Sequence, residues 1–284
     1  MKTLHLAPAA AVLASFMGAP HAACLSDADV QAVFDSYNAR QPSANPEGLS
    51  AADGECSRAK LLKLFDAKLG APVGYKAGLT NPAVQKRFNH DAPVWGALYV
   101  PMLLKSGALV EAAFGARPLF EADLLVRISS AAVNQARTVD DVLAAIDQVI
   151  PFIELPDLVV QAPPKLDGPA ISAINVGARL GAMGAPIAVQ RTAEFSNALR
   201  DMVTVVRGDG IELDRGKGSD VLEHPLNAVV WLAKDLARSG RAMKPGDLIS
   251  LGSFSKLLPP RPGLAVEVQY LGLPGNPVVN VSFR

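Results

Sequence analysis

Two acidic residues stand one residue apart at the head of an apolar segment, "FEADLLV" (120–126). Side chains alternate between the two faces of a strand, so Glu121 and Asp123 are expected on one face and the apolar residues on the other. Like charges on one face repel each other, and a nearby core strengthens the repulsion. The pattern predicts either that the pair shares a positive charge or that this face of the strand is solvated.

A third carboxylate, Glu154, lies inside the apolar segment "PFIELPDLVV" (151–160). A lone carboxylate buried there is costly unless it is paired or binds a metal. An ion pair with an arginine such as Arg127 is one solution. Taken together with Glu121 and Asp123, Glu154 completes three oxygen donors that suit a hard cation, Mg²⁺ or Mn²⁺, with water or substrate in the remaining positions.

Lys76, in "GYKAGLT" (74–80), is the candidate cation. A lysine between apolar residues near a metal site can pair with a substrate carboxylate or take part in proton transfer. An ordinary surface lysine is the alternative. Nucleophilic catalysis finds no support, because the chain has no GxSxG motif and "LGSFSK" (251–256) is a different arrangement.

Composition narrows the class of protein. The chain has 284 residues, 50% of them hydrophobic, which is enough for one large core with a small accessory region. The formal net charge is zero and no long basic run exists, so nucleic acid is excluded as a partner. After the N-terminus, no segment is long and apolar enough to predict a membrane span.

The first residues, "MKTLHLAPAAAVLASFMGAPHAAC", combine one lysine, a short apolar stretch and small residues before Cys24. This pattern predicts a signal peptide over residues 1–23 and a periplasmic or secreted protein. The chain has two cysteines, Cys24 and Cys56. In an exported protein the pair predicts a disulfide.

Hydrophobic periodicity and turn residues place the main elements. A helix capped by Ser57 is predicted over 57–70, and one capped by Thr138 over 139–150. The other predicted elements are helices over 26–41 and 225–240, a strand over 73–80, a hairpin over 205–213 turning at Asp209–Gly210, and paired strands over 264–272 and 277–283. We therefore expect an α+β chain, with a small helical region over 24–107 and a β-rich domain over 108–284.

Five motifs in order carry a family resemblance. They are "GYKAGLT", "FEADLLV", "FIELPD", "LEHPLNAVVWLAKDL" and "PGDLISLGSFSK". Together they resemble the 2-keto-4-pentenoate hydratase group of the fumarylacetoacetate hydrolase superfamily, which includes 4-oxalocrotonate decarboxylases. The resemblance spans roughly residues 57–284.

The resemblance implies a mixed β-sheet roll, a homo-oligomer and a role in aromatic catabolism. It also implies that Glu121, Asp123 and Glu154 bind Mg²⁺ or Mn²⁺, that Lys76 serves the active site and that Ser253 lies near the substrate. The implied function is a divalent-metal-dependent lyase, a hydratase or decarboxylase, acting on a small 2-oxo or 2-hydroxydienoic acid.

The chain departs from the family pattern in two places that bear on turnover. Val100 and Pro101 stand where family members often carry an acidic pair, and "AINVGARLG" (173–181) lacks the aspartate of a "DNA"-type stretch. An alternative is therefore an exported protein of the same fold that binds a small oxo-acid with little or no turnover. A carbon–carbon hydrolase is less favoured, because no His–Glu pair stands near the metal motif.

Overall fold

The computed structural model describes residues 24–284, and its helices and strands include most of the predicted elements. The helices are α1 (Asp27–Ala39), α2 (Ala51–Leu69), α3 (Pro82–Arg87), α4 (Val139–Ala145), α5 (Gly168–Ala173), α6 (Ala193–Asp201) and α7 (Asn227–Arg238). The first strands are β1 (Gly74–Gly78), β2 (Val94–Leu98), β3 (Leu103–Lys105), β4 (Ala108–Val110), β5 (Glu121–Ile128) and β6 (Ile146–Leu155). The later strands are β7 (Leu180–Met183), β8 (Ile187–Ala188), β9 (Val203–Gly208), β10 (Ile211–Lys217), β11 (Leu248–Ser250), β12 (Ala265–Leu271) and β13 (Val278–Phe283).

Helices α1 and α2 form the N-terminal pair, and a disulfide between Cys24 and Cys56 joins them, as predicted. The predicted start of the second helix at Ser57 is wrong. Ser50 caps α2 through a capping box with Asp53, so the helix begins at Ala51, six residues before its predicted start. Ser57 lies inside the helix, where its hydroxyl donates to the Asp53 carbonyl (2.6 Å). Both serines precede an apolar run. The two reciprocal hydrogen bonds between Ser50 and Asp53 fix the start of the helix at the earlier serine.

The larger sheet has eight strands in the order β2-β1-β11-β5-β6-β7-β3, with β8 paired to β6. Two pairings in it, β1–β11 and β3–β7, are parallel, and the others are antiparallel. The predicted helix over 139–150 begins at its Thr138 cap but ends at Ala145, since Ile146 starts β6. The apolar residues that follow fit a helix or a buried strand equally well, and pairing with β5 selects the strand.

The second sheet has five strands in the order β10-β9-β12-β13-β4. Its hairpin turns at Asp209–Gly210, and β12 pairs antiparallel with β13, both as predicted. Tyr270 on β12 links the sheets, because its hydroxyl lies 2.6 Å from the carbonyl oxygen of Asp123 and 2.8 Å from that of Phe152. These hydrogen bonds connect the second sheet to strands β5 and β6.

The fold class is α+β with mixed sheets, as predicted. Strands β1, β2 and β3 precede residue 108 but belong to the same sheet as β5 and β6. The division at residues 107 and 108 stays a prediction. Over residues 24–284, every helix is too short or too polar to cross a membrane.

Candidate functional site

A cleft at the larger sheet brings together four of the residues singled out in the sequence. Lys76 comes from β1, Glu121 from the start of β5, Glu154 from the end of β6 and Ser253 from the segment after β11. The cleft is partly open to solvent. Strands that are far apart in the chain therefore converge on one site.

Glu121 and Glu154 are direct partners across the antiparallel pair β5–β6. Their residues are only 8% and 3% exposed, which rules out the solvated strand face for Glu121. Burial raises the pKa of Glu121 well above its usual value, and the neighbouring Glu154 charge raises it further. Two buried carboxylates that face each other need positive charge between them.

Lys76 supplies part of that charge. It is 3% exposed, so the alternative of a surface lysine is wrong. Its ammonium group forms an ion pair with Glu154 and donates to the carbonyl oxygen of Val176 (3.0 Å). The pair with Arg127 considered for Glu154 does not form, because Arg127 binds Asp147 on the neighbouring strand with two hydrogen bonds (2.8 and 2.6 Å).

The carbonyl that Lys76 contacts belongs to a strained turn. Asn175 and Val176 both have left-handed backbone angles (φ 56° and 53°), a conformation that is rare for a β-branched residue. The Asn175 side chain stabilises the turn, because it accepts from the backbone nitrogen of Ala97 (2.7 Å) and donates to its carbonyl (3.1 Å). Sequence reasoning treated this stretch only as a departure from the family and missed its role. The only local signal is an asparagine, the residue that best tolerates this conformation after glycine.

Asp123 lies next to the cleft but does not line it. It is fully buried, and its carboxylate accepts from the backbone nitrogens of Leu251 (3.2 Å) and Gly252 (3.1 Å) and from the Ser250 hydroxyl. Burial raises the pKa of Asp123 well above its usual value, and the charge of Glu154 raises it further. In this arrangement Asp123 holds the segment that carries Ser253. Its place among the metal ligands stays a prediction.

Ser253 lines the cleft together with Glu121, and its hydroxyl lowers the pKa of that carboxyl, against the rise caused by burial. The Ser253 hydroxyl donates to the carbonyl oxygen of Ser255 (2.6 Å) and accepts from the backbone nitrogen of Ser255 (3.3 Å). Sequence reasoning missed the neighbouring Thr80 and Asn81, which complete the polar part of the lining. Asn81 caps α3 through the backbone nitrogen of Ala83 (2.8 Å), and the sequence "NP" before that helix is a signal for such a cap.

The charges of the residues at this end of the cleft, counted over the described residues, fit a hard divalent cation. Glu121, Glu154 and Lys76 leave one negative charge uncompensated when both carboxylates are ionised. Over residues 24–284 no three His, Cys, Asp or Glu side chains converge closely enough to form a complete metal cage. Mg²⁺ does not need such a cage, because it is commonly held by one or two carboxylates with water and substrate oxygens around it.

Comparison with known proteins gives consistent relatives. The chain is 32% identical over 205 residues to 2-oxo-hept-4-ene-1,7-dioate hydratase from Escherichia coli, covering 69% of this chain and 74% of that relative. It is 29% identical over 206 residues to 2-keto-4-pentenoate hydratase 1 from Dechloromonas aromatica, covering 72% and 75%. The solved structure of 4-oxalocrotonate decarboxylase from Pseudomonas putida G7, complexed with magnesium and adipate, matches with a TM-score of 0.79 and 25% identity over 93% of this chain and 100% of that chain. No protein-family model matches the chain.

These relatives correct one prediction. By name they are hydratases and a decarboxylase, and this finding contradicts the periplasmic or secreted location predicted from the first residues. A lysine followed by a short apolar stretch is a weak signal, and similarity over two thirds of the chain outweighs it. The signal peptide predicted over residues 1–23 lies outside the described residues.

Proposed function

Because the chain belongs to the 2-keto-4-pentenoate hydratase and 4-oxalocrotonate decarboxylase group of the fumarylacetoacetate hydrolase superfamily, we propose that it is a divalent-metal-dependent lyase acting on a small 2-oxo or 2-hydroxydienoic acid. Both curated relatives described above are hydratases. Apart from the two departures from the family pattern, at Val100–Pro101 and over 173–181, no observation favours the alternative of a non-catalytic binding protein. The homo-oligomer expected from the family resemblance remains part of the proposal.

The observation that carries the proposal is the buried pair of glutamates with Lys76 beside them. Glu121 and Glu154 are the residues that would hold Mg²⁺ or Mn²⁺, with Asp123 as the third ligand predicted from the family pattern. When bound, the cation supplies a Lewis acid that stabilises negative charge on the substrate's 2-oxo or enol oxygen.

Lys76 is the chain's own cation at this end of the cleft. Its two contacts, to Glu154 and to the Val176 carbonyl, hold the ammonium group in place. A positioned ammonium can orient a substrate carboxylate and can pass a proton while the conjugated chain rearranges. Water then adds to the distant double bond in a hydratase, or carbon dioxide leaves in a decarboxylase.

Ser253 and the backbone around it shape the same end of the cleft. The Asp123 carboxylate fixes the backbone nitrogens of Leu251 and Gly252, so the position of Ser253 does not depend on a flexible loop. The Ser253 hydroxyl can bind a substrate oxygen in the cleft if it turns from the Ser255 carbonyl, to which it donates without substrate. Buried hydrogen bonds to the supporting segment are typical of sites that must keep a precise geometry.

The test is turnover of a panel of 2-hydroxydienoates by the purified protein with added Mg²⁺ or Mn²⁺. We expect the ultraviolet absorbance of the conjugated diene to fall with time, and we expect a chelator to stop the reaction. The matched control is the Glu154→Gln protein with the same metal. If neither metal supports turnover of any member of the panel, the proposal is wrong.

A further inference from the structure

The cleft is chemically divided. Its charged end consists of Lys76, Glu121 and Glu154, and the rest of the lining is dominated by apolar side chains. These come from α3 and the residue after it, from the segments after β6 and β11, and from α5: Val84, Phe88, Leu158, Ile171 and Leu257. A substrate whose carboxylate is held at the charged end therefore extends its chain along an apolar wall.

Lys76 is the single cation of the lining, within the part of the chain that the structure describes, and it is already paired with Glu154. Two other cations are neighbours of lining residues in sequence. Arg87 is exposed and lies outside the lining, and Lys256 is exposed and pairs with Asp214 (3.4 Å). A second substrate carboxylate would find no cationic partner among the lining side chains beyond Lys76, and burying a charge without a counter-charge is strongly unfavourable.

A groove next to the cleft adds to this effect. It shares Asn81 with the cleft, and two of its other lining residues are the carboxylates Asp220 and Glu223. The lining of this groove contains no Lys, Arg or His among residues 24–284. Both the wall and its neighbouring groove are therefore unfavourable to an anionic end of a substrate.

We infer that the substrate is a monocarboxylate, with its carboxylate at the charged end and an uncharged, apolar distal end against Val84 and Phe88. This inference rests on the proposed function and names the substrate class of that site. It favours hydration of a dienoate with a hydrogen or alkyl tail over decarboxylation of a dicarboxylate. The chain is expected to differ in this respect from the E. coli relative, whose substrate name is a dioate.

The direct test compares 2-oxohexanoate with 2-oxoadipate, two saturated acids of equal chain length that differ in the distal carboxylate. Calorimetry with the Mg²⁺-loaded full-length protein measures binding without turnover. We expect 2-oxohexanoate to bind at least tenfold more tightly. Equal or tighter binding of 2-oxoadipate overturns the inference and leaves the proposed function in place. If neither acid binds, the inference is wrong, whereas the proposed function is decided separately by turnover of the 2-hydroxydienoates.

A pair of variants locates the distal end. Val84 on α3 is half-buried and lines the cleft, whereas Ala83 on the same helix is exposed and does not. Val84→Lys is expected to improve the affinity for 2-oxoadipate relative to 2-oxohexanoate by at least fivefold, because the new ammonium can pair with the distal carboxylate. Ala83→Lys is the matched control and is expected to leave the ratio unchanged. An unchanged ratio in Val84→Lys, or an equal change in both variants, overturns the placement of the apolar end.

Discussion

Lys76 on β1 and Glu154 on β6 form a buried ion pair, although strands β11 and β5 lie between them in the sheet. Neighbouring strands are about 4.8 Å apart, so β1 and β6 of a flat sheet would be separated by roughly 14 Å. Side chains that stand perpendicular to a flat sheet do not meet across that distance. The contact indicates that the sheet curls around the cleft, which closes the charged end against solvent.

Glu154→Gln is expected to remove most of the affinity for Mn²⁺, because a neutral amide is a much poorer ligand for a hard cation than a carboxylate. Calorimetric titration with Mn²⁺ measures the loss. The variant also leaves the buried Lys76 charge without its partner, which destabilises the fold by about 3–5 kcal/mol. Glu121→Gln is the second variant, because Glu121 faces the cleft without an ion pair to Lys76. Unchanged Mn²⁺ binding in both variants contradicts the ligand assignment.

Lys76→Met keeps much of the apolar stem of the side chain and removes its charge. We expect kcat/KM to fall by about 10²- to 10⁴-fold while Mn²⁺ still binds, since the lost group acts in the transition state. Steady-state kinetics and calorimetry on the same preparation measure both quantities. Lys105→Met, at an exposed position on β3, is the matched control and is expected to keep full activity. Full activity in Lys76→Met sinks the assignment of Lys76.

Asn175→Ala is expected to lower the free energy of unfolding by about 2–4 kcal/mol, because it removes two buried hydrogen bonds and disfavours the left-handed backbone. Asn175→Gly removes the same bonds but adopts that backbone freely, so it is expected to be less destabilised. Urea unfolding distinguishes the two. Equal stability of both variants and the wild type would show that the strained turn does not depend on this side chain.

Replacing Cys56 by Ser is expected to destabilise the oxidised protein by about 3 kcal/mol, since the disulfide closes a long loop of the unfolded chain. The two cysteines are 32 positions apart, with Cα atoms separated by 5.7 Å. Denaturation of the wild type with and without reductant should reproduce the same difference. The Cys24→Ser, Cys56→Ser double variant should not respond to reductant. If reductant does not change the stability of the wild type either, the disulfide adds no stability.

His224 gives the stability of the fold a pH dependence. Burial lowers its pKa, its ring nitrogen Nδ1 accepts from the backbone nitrogen of Leu226 (3.1 Å), and Nε2 lies 3.1 Å from the carbonyl of Ser196. The hydrogen bond to Ser196 and the charges of Asp140 and Asp201 act in the opposite direction, and Arg200 adds to the lowering. Because the folded pKa lies below the unfolded value, the folded state binds fewer protons. This stability is present above the unfolded pKa and is lost as pH falls toward the folded one.

His224→Asn provides the control for that effect, because its side-chain oxygen can accept from Leu226 and does not titrate. Between about pH 7 and about pH 5, the wild type is expected to lose stability relative to the variant. Chemical denaturation across this range measures the difference in unfolding free energy. A difference that stays constant with pH would mean that His224 does not titrate differently in the folded and unfolded states.

Local sequence patterns determined much of the fold and the membership of the site. The hairpin at Asp209–Gly210 follows from a two-residue turn that the backbone prefers wherever it occurs. The alternation around Glu121 fixed which side chains share a face of β5. Glu154 stood out because an ionisable group in an apolar strand must have a partner somewhere. These inferences need only neighbours in the chain. The structure has the hairpin and a buried partner for Glu154, and the shared face of Glu121 and Asp123 stays a prediction.

The partners themselves were decided by the tertiary structure. Lys76 and Glu154 are 78 positions apart, and no local pattern distinguishes this pairing from one between Glu154 and Arg127. Asp123 turns to the backbone of Leu251 and Gly252 because β11 ends beside it, a fact of strand order that alternation within β5 does not contain. For the same reason, pairing with β5 ended α4 at Ala145. The sequence by itself determined which groups needed compensation, and the curl and strand order of the sheet decided which groups provide it, because contacts between distant segments exist only once the chain is folded.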